Sequence, residues 1–74
     1  MGIIRPMKVP LSLQNREIIV ELFNIGQIVK ATAMDVKTLT EVSIQGPKSA
    51  GEVTLKQNAM KRLEYVLKKK GIIA

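Results

Sequence analysis

The sequence predicts a small α+β domain in which a three-stranded antiparallel β-meander is followed by one C-terminal α-helix packed on one face of the sheet, a βββα order. Three observations carry that expectation. Residues 28–34 alternate Ile28, Lys30, Thr32 and Met34 on one side with Val29, Ala31 and Ala33 on the other, and period two is the signature of a strand. Gly46-Pro47 then stops any sheet, because proline cannot donate to a ladder and biases its predecessor away from helical geometry. Beyond it, residues 50–70 hold the only long stretch with helical periodicity in the chain.

Residues 1–15 contain Pro6 and Pro10 and no sustained period, so they read as a flexible N-terminal arm, with residues 16–74 forming a single small domain. Val9, Leu11 and Leu13 alternate around Pro10 and Ser12, a pattern that suits an edge or an exposed face of the sheet. Pro10 allows an edge position and forbids a central one.

The first strand is expected over 17–23, with Ile18, Val20 and Leu22 toward the helix and Glu17, Ile19, Glu21 and Phe23 away from it. Asn24-Ile25-Gly26 has hairpin length, and Gly26 supplies the positive φ such loops need. The second strand is 28–34. Asp35 opens the next turn, where its carboxylate reaches backbone N–H groups two residues on. The third strand, 41–46, points Val42 and Ile44 inward and Glu41, Ser43 and Gln45 outward.

Ser49 and Glu52 match the Ser-x-x-Glu capping box at the helix start. Val53, Ala59, Met60, Leu63, Val66 and Leu67 form the expected apolar stripe, with Lys56 inside it and its charge snorkelling past the sheet edge. Lys68 to Lys70 suit the last turn, and Gly71 suits the position just beyond it. Glu52 with Lys56 and Glu64 with Lys68 stand four apart in the favoured order.

This plan leaves one sheet face without a helix. Ile19, Phe23, Ile28 and Met34 lie there among Glu17, Glu21, Lys30, Thr32 and Ser43, and three covers compete: the arm's Val9, Leu11 and Leu13, a second copy of the chain, or solvent alone. These four apolar residues are the candidate protein interface.

The run Ala33-Met34-Asp35, Thr38, Thr40-Glu41-Val42-Ser43-Ile44 and Gly46-Pro47, followed by Lys61-Arg62-Leu63-Glu64-Tyr65-Val66-Leu67, resembles a family of short proteobacterial proteins of unknown function. The resemblance covers about residues 17–70 and implies a strand, turn, strand, Gly-Pro stop and amphipathic helix, with no catalytic residue. Leu39 departs from it, standing where the family pattern has glycine. If the turn there requires positive φ, Leu39 is strained or the turn is of another type.

Composition narrows the function classes. The 74 residues include no cysteine and no histidine, which excludes disulfides, Cys/His zinc sites and histidine-dependent catalysis. No cofactor or metal is expected, glycines are scattered and form no phosphate loop, and Ser43 and Ser49 read as a strand residue and a cap. Glu17, Glu21 and Glu41 read as solvated strand residues that discourage edge-to-edge aggregation. The chain is therefore expected not to be an enzyme. Neither a signal-peptide run nor a membrane span is seen, so the expected location is the cytoplasm. A single core of this size supplies only about 3–5 kcal/mol, which makes self-association the remaining source of buried area.

The net charge is +6, and it is uneven. Residues 1–16 carry +3, residues 17–51 carry −1 and residues 52–74 carry +4, so the basic excess lies on the arm and the helix. Lys61, Arg62, Tyr65, Lys68 and Lys69 share the helix face opposite the apolar stripe, pairing cations with one aromatic ring as nucleic-acid binders do. A solvated face with dipole-complementing cations has the same composition. The expected function is a protein-interaction or self-association module, with nucleic-acid binding through the basic helix face as the alternative.

Overall fold

The computed structural model describes residues 2–3 and 11–73. Among them, four antiparallel strands form one sheet in sequence order: β1 (Gly2–Ile3), β2 (Ile18–Ile25), β3 (Ile28–Asp35) and β4 (Thr40–Pro47). One helix, α1 (Glu52–Lys69), follows and packs over β3 and β4, with less contact to β2. This is the expected βββα order, with the two-residue β1 added beside β2, where Gly2 stands opposite Val20 and Ile3 opposite Ile19.

The strands exist because their alternation serves one buried face. Ile18 and Val20 of β2, and Val29, Ala31 and Ala33 of β3, are buried beneath Leu55, Ala59, Met60, Leu63 and Leu67 of α1. Ala31 and Ala33 are fully buried, and their small side chains let the helix approach the central strand closely. Gly46 does the same in β4, since a Cβ there would stand 2.5 Å from Leu55 Cδ2.

Several boundaries differ from the sequence expectation. Ile25 pairs with Ile28, so the first hairpin has the two-residue loop Gly26-Gln27 instead of Asn24-Ile25-Gly26. Gly26 has φ +62° and Gln27 does not share the positive region, the glycine-first pattern of a type II′ turn, whose twist suits the flanking strands. At the helix start no capping box forms. Lys48–Ala50 makes a single 3₁₀ turn, Gly51 is the N-cap and no side chain bonds the free N–H groups. Gly51 reaches φ 89° and ψ 149°, a region open essentially to glycine alone, so the entry angle is set by its backbone and Ser49 is left exposed.

The apolar stripe is also displaced. Val53 is 61% exposed, whereas Leu55, outside the expected stripe, is buried against Gly46. Val53 shares the direction of Met60 and Leu67 but sits in the first turn, before the helix has reached the middle of the sheet. Val66 and Lys56 are half-buried. The far end follows expectation: Gly71, at φ +74°, donates to Lys68 O at 3.0 Å, and Ile72 N–H donates to Leu67 O at 2.9 Å. Those two bonds make a Schellman motif, with Ile72 packed back on the core.

Residues before Asn15 also reach the core. A 3₁₀ turn, Leu11–Leu13, buries Leu13 completely in the main cluster, so Leu13 does not line the helix-free face. Val9, expected beside it, lies outside the described residues.

Leu39 has φ 59°, the only positive φ of a non-glycine residue among those described. Its N–H donates to Asp35 O at 2.7 Å, closing a five-residue turn whose last position is left-handed, and its side chain is 70% exposed. An L-residue pays about 1–2 kcal/mol there, partly offset in glycine by greater unfolded-chain entropy. Leu39→Gly is expected to stabilise the fold by about 0.5–1 kcal/mol, raising Tm by a few degrees in thermal denaturation. A lower Tm would show that the exposed leucine contributes more than its backbone costs.

Candidate interaction surfaces

Odd-numbered residues of β2 and β4 and even-numbered residues of β3 form the face without a helix. Register places Ile19 opposite Met34, Phe23 opposite Lys30 and Ile25 opposite Ile28, so Ile19, Phe23, Ile28 and Met34 do share one face. They divide into two zones. Ile19 and Met34 are half-buried at one end, whereas Phe23 (47% exposed) and Ile28 (46%) stand open at the hairpin end. Ile25, expected in the turn, joins them at 58% because β2 runs two residues longer than expected. Between the zones, Thr32 is buried with Glu21 and Ser43 opposite it on either side.

The second surface is on α1. Lys61, Arg62, Tyr65, Lys68 and Lys69 are all exposed on the arc facing away from the sheet. Arg62 lies over the Tyr65 ring, 5.6 Å from its centroid, so one face of the ring already meets a cation. Lys68 is 3.7 Å from Glu64, which itself accepts a hydrogen bond from Ser12 Oγ at 2.5 Å. Three of the five residues, Arg62, Tyr65 and Lys68, are thus engaged locally, and Lys61 and Lys69 are exposed.

A third constellation holds the polar centre of the fold. Asp35 is fully buried on the core side of β3, and Arg16 meets it in a two-pronged pair, Nε to Oδ1 at 2.9 Å and Nη2 to Oδ2 at 3.1 Å. Thr38 donates to Oδ2 from its backbone N at 3.1 Å and from Oγ1 at 2.6 Å, and its hydroxyl also meets Thr40 Oγ1 at 2.9 Å. The backbone donor is three residues on from Asp35, one further than expected. The Arg16 hydrogen bonds hold the Asp35 carboxyl below the usual carboxylate range, opposed by burial and reinforced by Thr38. Because both carboxylate oxygens accept hydrogen bonds, one from Arg16 and the other from Arg16 and Thr38, this cluster anchors the turn between β3 and β4. A shallow depression beside it is lined by Ser12, Asn15, Arg16, Glu17, Val36 and Lys37. The sequence signal for the pair was weak, since Arg16 and Asp35 are 19 residues apart and the reading of Asp35 as a turn residue names no partner for it.

Among the described residues no group of three or more His, Cys, Asp or Glu side chains is placed to hold a metal ion, and no helix is long and apolar enough to cross a membrane. Glu41 lies opposite Met34, separated from Glu17 and Glu21 by the width of β3.

No curated protein and no solved structure matches the chain. A family model described as a domain of unknown function, DUF6898, matches residues 15–70, which takes in the Arg16–Asp35 pair, all three long strands and α1, and the chain belongs to that family.

Proposed function

We propose that the protein is a non-enzymatic self-association module whose helix-free sheet face is covered by a second copy of the chain. The observation that carries this reading is the cluster of Phe23, Ile25 and Ile28, three large apolar side chains each about half exposed at one end of that face. A small domain gains buried area when a second layer covers its open sheet face, and Ile19 and Met34 add half-buried apolar surface at the far end of that face. Light scattering coupled to size exclusion is expected to give a dimer at tens of micromolar, and Phe23→Ser with Ile28→Ser to return it to a folded monomer. A monomeric parent chain would remove self-association and reassign the face to a partner of different sequence. A bacterial, cytoplasmic setting is part of the same proposal.

One observation favours a second reading, nucleic-acid binding: the exposed cations of α1 surround a ring that already accepts a guanidinium on its face. Contacts from Lys61, Arg62, Lys68 and Lys69 to phosphates would make oligonucleotide affinity fall with salt at a log–log slope of about −3. Tyr65→Ala is then expected to weaken single-strand binding by about 1–3 kcal/mol and duplex binding little. Absence of binding to either form at low salt ends this reading.

A further inference from the structure

The outer edge of β4 is a long run of unpaired main chain. β4 closes the sheet order, its eight residues pair with β3 in unbroken register, and no described strand adds to its other side. Edge strands are ordinarily blunted by shortness, a bulge, an interior proline or an inward charge. Between Val42 and Gln45 there is none of these, because Pro47 is terminal and the single charge, Glu41, lies on the helix-free face. On the helix side, Val42 and Ile44 stay half-buried, so the outer flank of the core is unfinished.

What overhangs that flank is positive. Leu55 marks the side of α1 above β4, since it rests on Gly46, and Glu64 marks the opposite side, where it accepts from Ser12. At about 100° per residue, Val66 lies about 20° round the helix from Leu55 toward the core, and Arg62 and Lys69 lie about 20° and 40° from it on the solvent side. Val66 is half-buried, and Arg62 and Lys69 are exposed. At about 1.5 Å per helical residue and about 3.3 Å per strand residue, a helix returning over β4 carries Arg62 above about Ser43 and Lys69 above about Thr40.

From these placements we infer that the free edge of β4 takes an acidic, extended segment of a partner protein as an added strand. Main-chain bonds from β4 supply the docking, and Arg62 and Lys69 select acids on the helix side of the added strand. Its alternate residues then lie beside Ser43 and Gln45, away from the helix. Glu41 is on that same helix-free side, so it does not oppose the acids. A second copy fits this edge poorly: two-fold pairing of β4 with β4 would bring Arg62 and Lys69 of both chains to one seam. The edge is thus distinct from the apolar face proposed for self-association.

The test titrates the full chain, followed by NMR, with a peptide as long as the eight residues of β4 that alternates Glu and Val, and with its Lys/Val counterpart. The expected result is shift and new exchange protection of the β4 amides that point away from β3, and affinity for the Glu peptide about tenfold or more above that for the Lys peptide. Arg62→Glu with Lys69→Glu is expected to abolish that preference while circular dichroism is unchanged, both residues being exposed. Phe23→Ser with Ile28→Ser is expected to leave it unchanged, which separates this edge from the dimer face. Equal affinity for the two peptides, shifts confined to Phe23–Ile28 or to α1, or protection without peptide of the β4 amides that point away from β3 would each overturn the proposal.

Discussion

Asp35→Ala is expected to be the most damaging single change, destabilising the fold by about 3–5 kcal/mol, because it breaks a buried, two-pronged ion pair and strands its partners. Arg16 would lose both acceptor oxygens, and Thr38 would lose the acceptor for its backbone N and its hydroxyl together. In a chain whose core supplies about the same amount, that loss leaves most molecules unfolded at room temperature. Asp35→Asn keeps the shape and lets the one-sixth-exposed Arg16 side chain turn to water, so it serves where the alanine variant does not fold. The same pair sets the acid behaviour. The folded-state pKa of Asp35 lies below its unfolded value of about 3.9, so the unfolded chain binds more protons across that window. The stabilisation is complete above about pH 4 and is lost as pH falls through the folded-state value. Denaturant melts over acid pH are expected to show that limb in the parent and a shallower one in Asp35→Asn. Identical limbs would mean that other carboxylates govern acid unfolding.

Leu13→Ala is expected to cost about 2–5 kcal/mol, as deletion of any fully buried leucine does. A residue on a peripheral arm would change stability by no more than about 0.5 kcal/mol, so chemical denaturation separates the two roles of this segment. A small effect would place Leu13 outside the cooperative unit despite its burial. Leu63→Ala in α1, another fully buried position, gives the reference value.

The strands were legible because Ile18, Val20, Val29, Ala31, Ala33, Val42 and Ile44 keep strict alternation, and only one face of a covered sheet can be apolar in that way. The helix interior was legible for the same kind of reason. Its start was not: Ser49 with Glu52 and Gly51 are both valid starting signals, and the choice depends on how the chain leaves Pro47. Val53 and Leu55 border the stripe on opposite sides, and which one is buried follows from which flank of α1 overlies Gly46, a tertiary fact. Leu39 was legible as a tension between residue and turn, and its φ of 59° shows that the backbone requirement won. The residues of each candidate surface share the face that periodicity assigned to them, although Ile19 and Met34 are half-buried there. Ile25 and the β4 edge were not, because strand length and strand order decide them. The Arg16–Asp35 pair needed two segments to be brought together, which local pattern does not encode.

Burial of Leu13 has a kinetic side. β2, β3 and β4 pair only with neighbours in sequence, so the meander closes short loops, whereas Ser12 joins α1 across 52 residues, at Glu64, and Leu13 beside it is buried in the core that α1 covers. Contacts between distant residues reward their loop-closure entropy late. The meander and helix are thus expected to form first, with the N-terminal segment locking on afterwards. Disruption at Leu13 should therefore speed unfolding while leaving the folding rate nearly intact, so the segment acts as a latch on the residence time of the native state.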